Sequence, residues 1–176
     1  ANKQIIDLAE WLKGRGIGFY GLDVYSLYDS LSLVKSYAKK LDHRLENKIL
    51  ESLACFDFFN DNEVEYTKSL IKWPKGCEKE LAQNLQEILR LRLEETKLRE
   101  HELFDIQQNA KTVRNAEKYY RALILGGPES WNIRTEHMMN TLDALVHYHG
   151  KKAIVWAHNT HIGDYHGTNM TDEGYI

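Results

Sequence analysis

The amino-acid sequence predicts an α/β fold that is mostly helical and contains about two core parallel strands. Two apolar segments, residues 17–25 and 152–157, turn abruptly polar where they end. This pattern is typical of strands that are covered on both faces of a parallel sheet. Most of the remaining sequence repeats apolar residues every three or four positions, which indicates helices with one buried face. We therefore expect helices packed around a small sheet.

The predicted elements follow one another within a single partial domain, residues 1–176. They are a core strand and loop at 17–25, helices at 26–76, a long helical pair at 77–126, a helix at 131–149, and a second core strand with a site loop at 152–165. A single helix over the Pro-free and Gly-free stretch 78–125 would be about 70 Å long, so we expect an antiparallel pair. Because the chain starts at Ala1 and ends in a polar stretch, we expect a piece of a longer protein.

Composition and charge narrow the classes of partner. The 176 residues carry a formal net charge of -3 and intersperse Lys and Arg with Asp and Glu, which leaves no basic surface for nucleic acid. No apolar stretch approaches the roughly 20 residues that a membrane helix needs, and no signal-peptide pattern opens the chain. We therefore expect a cytoplasmic protein that binds a small molecule or another protein, and neither nucleic acid nor a membrane.

The two cysteines, Cys55 and Cys77, lie in helix-like contexts without CxxC spacing. Disulfide frameworks and zinc sites usually show denser cysteine patterns. We predict that both thiols stay reduced and form no disulfide.

Polar side chains cluster where the two predicted strands end. The residues concerned are Asp23 and Tyr25 after the first strand, and His158, Asn159, His161 and Asp164 after the second. Ligands bind beyond the carboxyl ends of parallel strands, where loops converge. A histidine of near-neutral pKa can accept or donate a proton there, and a carboxylate can fix its tautomer. We predict that His158 and His161 are catalytic and that the other four residues bind substrate.

Two other interpretations of the histidine loop stay open at this point. An isolated histidine after a buried strand is often a core residue that is hydrogen-bonded to the backbone. His158, His161 and Asp164 could also supply three metal ligands, although the loop lacks the helical HExxH pattern of the strong zinc signal. We predict that the loop binds no metal and that the protein needs no cofactor.

A second polar group opens the helix predicted at 131–149. Its Arg134 has a planar fork of donors that can clamp a carboxylate or a phosphate. We predict that Asn132 and Arg134 bind substrate. The alternative is that both belong to the solvated first turn of the helix.

Four motifs resemble one known family. They are GFYGLDVYSL at 18–27, NAEKYYRAL at 115–123, WNIRTEHM at 131–138 and IVWAHNTHIGD at 154–164. Together and in this order they are similar to the erythromycin esterase family, which includes proteins labelled succinoglycan biosynthesis proteins. The likeness spans nearly the whole chain.

The resemblance implies a three-layer α/β/α fold with a long helical-hairpin insertion. It also implies a metal-independent hydrolase site in which an activated water opens a macrolactone ester, with His158 and His161 lining the site and Asp23 and Arg134 contributing to it. Thr135 departs from the family, which usually has an acidic residue after the arginine of the WNxR motif. The family's N-terminal Glu/His segment, which carries its proposed general base, does not occur in this chain.

We therefore expect part of an ester hydrolase that is inactive as a fragment. The alternative is a non-enzymatic relative whose pocket binds a polyketide, a sugar or an acyl compound in a polysaccharide pathway. An intact Glu/His pair in the N-terminal sequence would favour the enzyme, and its loss would favour the binding protein.

Overall fold

The computed structural model describes residues 2–167 and 169–175, apart from the side chains of residues 82–84 and 165, and this part of the chain is all-α. Its helices are α1 (Lys3–Lys13), α2 (Leu27–Ala38), α3 (His43–Leu53), α4 (Glu63–Ser69), α5 (Glu78–Arg90), α6 (Glu100–Leu125), α7 (Glu129–His149) and α8 (Asn159–Ile162). Short 3-10 turns lie at Ala54–Phe59, Leu93–Glu95 and Tyr165–Gly167. None of the helices in these ranges is both long enough and apolar enough to cross a membrane.

The predicted α/β fold, with its three layers and two core strands, is wrong for the part of the chain that the structure describes. Segments 17–25 and 152–157 form no regular secondary structure there. Their apolar side chains are largely uncovered, since Phe19 is 58% and Ile154 is 99% exposed, although Val24 is buried. A strand is held by backbone hydrogen bonds to a neighbouring strand. An apolar run predicts burial, but it does not supply that neighbour.

Helix α6 lies at the centre of the core, packed against α2, α5 and α7. It begins where Glu102 accepts a hydrogen bond from the backbone N–H of Arg99 at 2.9 Å, which satisfies a donor that the helix leaves open. It ends at Gly126, whose positive φ of 75° suits a residue without a Cβ. The predicted antiparallel pair corresponds to α5 and α6, and the chain between them is broken from Leu91 to Arg99.

The packing of α2, α6 and α7 brings together residues that are far apart in the sequence. Asp23 and Tyr25 immediately precede α2, and Arg134 lies in the second turn of α7. The buried side chains of Leu27 on α2 and Ile133 on α7 belong to the same core as α6. Burying a side chain of this size contributes about 1.5–3 kcal/mol, so the framework around these polar residues is well supported.

Cys55 and Cys77 are joined by a disulfide, so the prediction that they stay reduced is wrong. Their Cα atoms are 5.9 Å apart, within the range that a disulfide spans. Cys55 lies in the 3-10 turn after α3, and Cys77 is the residue before α5. Their proximity follows from the packing of α3 against α5, which the cysteine spacing does not reveal.

Candidate functional site

The candidate site is built around an ion pair between Asp23 and Arg134, which are 111 residues apart in the sequence. Arg134 Nε donates to Asp23 Oδ1 at 2.8 Å, and Arg134 Nη2 donates to Asp23 Oδ2 at 2.6 Å. Asp23 Oδ1 also accepts from the backbone N–H of Val24 at 2.7 Å. Partial burial alone would raise the pKa of Asp23, but these hydrogen bonds outweigh it and hold the pKa below its ordinary value. Asp23 is therefore a carboxylate at neutral pH.

Two tyrosines line one side of this ion pair. The guanidinium carbon of Arg134 lies 4.5 Å from the centre of the Tyr25 ring, which is a favourable cation–π arrangement. The Tyr25 hydroxyl lies 3.0 Å from the Tyr119 hydroxyl on α6. Burial raises the pKa of Tyr119, and its hydrogen bond with Tyr25 raises it further, so Tyr119 remains a neutral phenol. The contact between the two hydroxyls holds the Tyr25 ring against the guanidinium of Arg134.

His161 lies on α8 and stacks on Trp131, the residue that begins the WNIR motif. The two ring centres are 4.5 Å apart and the planes differ by 13°. Burial lowers the pKa of His161 and the charge of Arg134 lowers it further, while the charge of Asp23 acts in the opposite direction. His161 is therefore a neutral imidazole near the ion pair. Its Nδ1 is buried and has no hydrogen-bond partner among the described residues.

The other polar residues predicted for the histidine loop are exposed or contact residues close to them in the sequence. Residues 158–165 were predicted to be a loop, but Asn159–Ile162 forms the short helix α8 with His158 as its N-cap. His158 is exposed, and its Nδ1 lies 2.9 Å from Thr160 Oγ1. Asp164 accepts from the backbone N–H of His166 at 3.0 Å, and Asn159 is exposed. The structure therefore stacks His161 on Trp131, where the charges of Asp23 and Arg134 act on its imidazole.

Asn132 connects α7 to the turn near the end of the chain. Its Nδ2 donates to the backbone carbonyl of Gly174 at 2.8 Å. The ring of Tyr175 lies 6.2 Å from that of Trp131 in an edge-on arrangement. Asn132 thus positions a turn beside Trp131 in this structure.

The predicted catalytic and substrate-binding residues did not include Trp131, Asn115 or the buried His137. Asn115 Nδ2 lies 3.0 Å from His137 Nδ1. Burial lowers the pKa of His137. The motifs NAEKYYRAL and WNIRTEHM contain all three residues, but their contacts depend on how α6 packs against α7.

Metal ligation finds no support in the arrangement of the described side chains. Among them, no group of three or more His, Cys, Asp and Glu residues is placed to hold a metal ion. The absence of a bound metal stays a prediction, and its direct check is metal analysis of the purified protein.

The arrangement combines a fixed cation, a neutral imidazole and aromatic walls. Arg134 uses Nε and Nη2 to bind Asp23, and its Nη1 makes no hydrogen bond within the described part of the chain. An N–H donor fixed in this way can stabilise negative charge that develops on a carbonyl oxygen. A neutral imidazole can donate a hydrogen bond or exchange a proton at neutral pH.

The proximity of His161 to the ion pair predicts how its titration responds to charge removal. We expect an NMR titration midpoint below 6.5, the ordinary histidine pKa. Arg134→Met should raise this midpoint because it removes a repelling positive charge, and Asp23→Asn should lower it because it removes an attracting negative charge. Two unshifted midpoints would show that His161 lies away from the pair.

The comparison with known families identifies one family. The family model described as erythromycin esterase matches residues 1–175. No solved structure matches the chain.

Proposed function

The chain belongs to the erythromycin esterase family, and on that premise we propose that its cluster of Asp23, Arg134 and His161 serves the hydrolysis of a macrolactone-type ester. The observation that carries the proposal is the fork of Arg134, which Asp23 holds from one side while Nη1 makes no hydrogen bond to any described residue. Water is the acyl acceptor, so the ester yields a carboxylic acid and an alcohol.

The chemical role of the cluster is to stabilise charge. When water adds to the ester carbon, the carbonyl oxygen becomes negative, and fixed donors around it lower the barrier. Arg134 Nη1 and the imidazole N–H of His161 supply such donors. Because Asp23 already holds the guanidinium, Arg134 needs little reorganisation during the reaction.

The surroundings of the cluster suit a large and mostly apolar ester. Tyr25, which is 44% exposed, offers part of its ring surface next to the guanidinium. Trp131 provides a flat face on which His161 already stacks. Aromatic walls with a few fixed polar groups are typical of small-molecule sites.

The test is hydrolysis by the natural full-length protein that contains this chain. We expect it to open a macrolide ring in isotopically labelled water, with one labelled oxygen in the product carboxylate, as measured by mass spectrometry. Arg134→Lys should lower kcat/KM about tenfold or more, because an ammonium keeps the charge but cannot bind Asp23 through two nitrogens and still present a third.

Arg90→Lys is the matched control, since Arg90 is exposed at the end of α5. It should leave kcat/KM unchanged. Binding of macrolides without ring opening, or of simple activated esters without hydrolysis, would contradict the proposal and favour the non-enzymatic binding protein.

A further inference from the structure

The hydroxyl groups of Tyr25 and Tyr119 meet beside the ion pair, and the proposed hydrolysis uses only the ring of Tyr25. The two hydroxyl oxygens are 3.0 Å apart, and the rings meet edge-on, with centres 5.4 Å apart and planes at 76°. Tyr119 lies on α6, whereas Tyr25 belongs to the segment before α2. The guanidinium of Arg134 lies over the same Tyr25 ring. The Tyr25 hydroxyl is therefore the polar group of the ring that Arg134 contacts.

The burial of the two tyrosines differs, and this difference indicates which hydroxyl donates. The contact between them uses one proton, and either oxygen could supply it. Tyr119 is 7% exposed, and Tyr25 is its one hydrogen-bond partner within the described part of the chain. A buried O–H without an acceptor loses the hydrogen bond that it makes with water in the unfolded chain, which is costly. Tyr119 therefore donates to Tyr25.

Acceptance from Tyr119 leaves the proton of Tyr25 for another partner. A phenolic hydroxyl can accept one hydrogen bond and donate another. The Tyr25 hydroxyl contacts no second polar group among the described residues, and Tyr25 is 44% exposed, so a ligand in the site can accept its proton. The oxygens of an ester accept hydrogen bonds and do not donate them. An ester therefore matches the free O–H of Tyr25.

We propose that the Tyr25 hydroxyl donates a hydrogen bond to an oxygen of the bound ester, and that Tyr119 is the positioning residue that orients this hydroxyl. Tyr25 then touches the substrate, whereas Tyr119 acts through Tyr25 alone. The effect on the rate rests on the proposed function. The direction of the hydrogen bond between the two tyrosines can be measured without any activity.

The first measurement identifies which tyrosine carries the shared proton. In a mixture of ordinary and heavy water, a tyrosine whose hydroxyl exchanges slowly gives two ζ-carbon signals, one for O–H and one for O–D. In protein with labelled tyrosine ζ-carbons, we expect two signals for Tyr119 and one averaged signal for Tyr25. Tyr25→Phe should merge the two Tyr119 signals because it removes the acceptor. A single averaged signal for Tyr119, or two signals for Tyr25, would overturn the proposal.

The second measurement is a double-mutant cycle on an ester that the wild-type protein hydrolyses. Tyr25→Phe keeps the ring next to the guanidinium but removes the donor, and should lower kcat/KM about tenfold. Tyr119→Phe leaves that donor in place without orienting it, and should lower kcat/KM about threefold. In the Tyr25→Phe background, Tyr119→Phe should have no further effect, because Tyr119 acts through Tyr25.

Tyr37→Phe is the matched control for the loss of a tyrosine hydrogen bond between the same two elements. The Tyr37 hydroxyl, near the end of α2, donates to Asp105 near the beginning of α6 at 3.3 Å. This variant should keep the wild-type kcat/KM. Additive losses from Tyr25→Phe and Tyr119→Phe, or losses no larger than that of Tyr37→Phe, would make the tyrosine pair structural and overturn the inference.

The outcomes separate this inference from the proposed function. A wild-type protein that binds a macrolide without opening it contradicts the proposed function. The same cycle is then measured on the dissociation constant, where Tyr25→Phe should weaken binding about tenfold. Normal hydrolysis by Tyr25→Phe leaves the proposed function standing and overturns the inference. A wild-type protein that neither binds nor hydrolyses a macrolide overturns both.

Discussion

Replacing His161 by alanine should lower kcat about a hundredfold or more in the natural full-length protein. Loss of one preorganised donor to a developing oxyanion typically costs about 2.7–4 kcal/mol of transition-state stabilisation. His161, in α8, stacks on Trp131, and the charges of Asp23 and Arg134 act on its imidazole. Steady-state kinetics on a macrolide or a simple activated ester measures the change.

The stability of the same variant should change little. His161 is partly exposed, and its contact with Trp131 is worth about 1 kcal/mol, a shift of about 2–4 °C in Tm for a chain of this size. His147→Ala is the matched control, because His147 is an exposed histidine in the last turn of α7 and should keep the wild-type activity. Normal turnover in His161→Ala, together with a Tm many degrees lower, would make His161 a structural residue.

The sequence predicted the members of the ion pair but not their pairing. Asp23 interrupts an apolar segment and Arg134 opens a helix, and both features indicated function individually. Their contact depends on α6 packing against both α2 and α7, and nothing local in the sequence specifies that geometry. The contacts of Asn115 with His137 were missed for the same reason, because a buried hydrogen bond between two helices has no sequence period.

The sequence also predicted two histidines as equivalent candidates, and the structure distinguishes them. His158 caps a four-residue helix from an exposed position, and its contacts stay within that helix. His161, three residues later, faces Trp131 on α7. The predicted catalytic roles of both histidines stay predictions until variants are assayed.

Helices could be predicted from the sequence where a regular apolar face was followed by a glycine that ends the helix. The stretch before Gly126 lacks Pro and Gly and carries a regular apolar face, and α7 ends at Gly150 with a positive φ of 58°. The prediction of two strands was wrong because a strand needs hydrogen bonds to a neighbouring strand, which can lie far away in the sequence. Residues 152–157 have the composition of a buried strand, yet Trp156 is 75% exposed and the described residues provide no strand beside it.

Removing the disulfide should have the largest effect on stability. The double variant Cys55→Ser, Cys77→Ser should lose about 3 kcal/mol, because the bond closes a loop with a sequence separation of 22 and restricts the unfolded chain. For a chain of this size that loss lowers Tm by about 10 °C. Urea unfolding with and without a reductant measures it, and the reductant should destabilise the wild-type protein while leaving the double variant unchanged.

The oxidation state of the two cysteines also tests the predicted cytoplasmic location. Disulfides persist in oxidising compartments and are rare in the cytosol, so an intact bond argues against the cytoplasmic location that the sequence predicted. We expect denatured, unreduced protein from its native source to show no reaction with a thiol reagent. Two titratable thiols, with stability unaffected by reductant, would show that Cys55 and Cys77 stay reduced in the cell and would favour the cytoplasm.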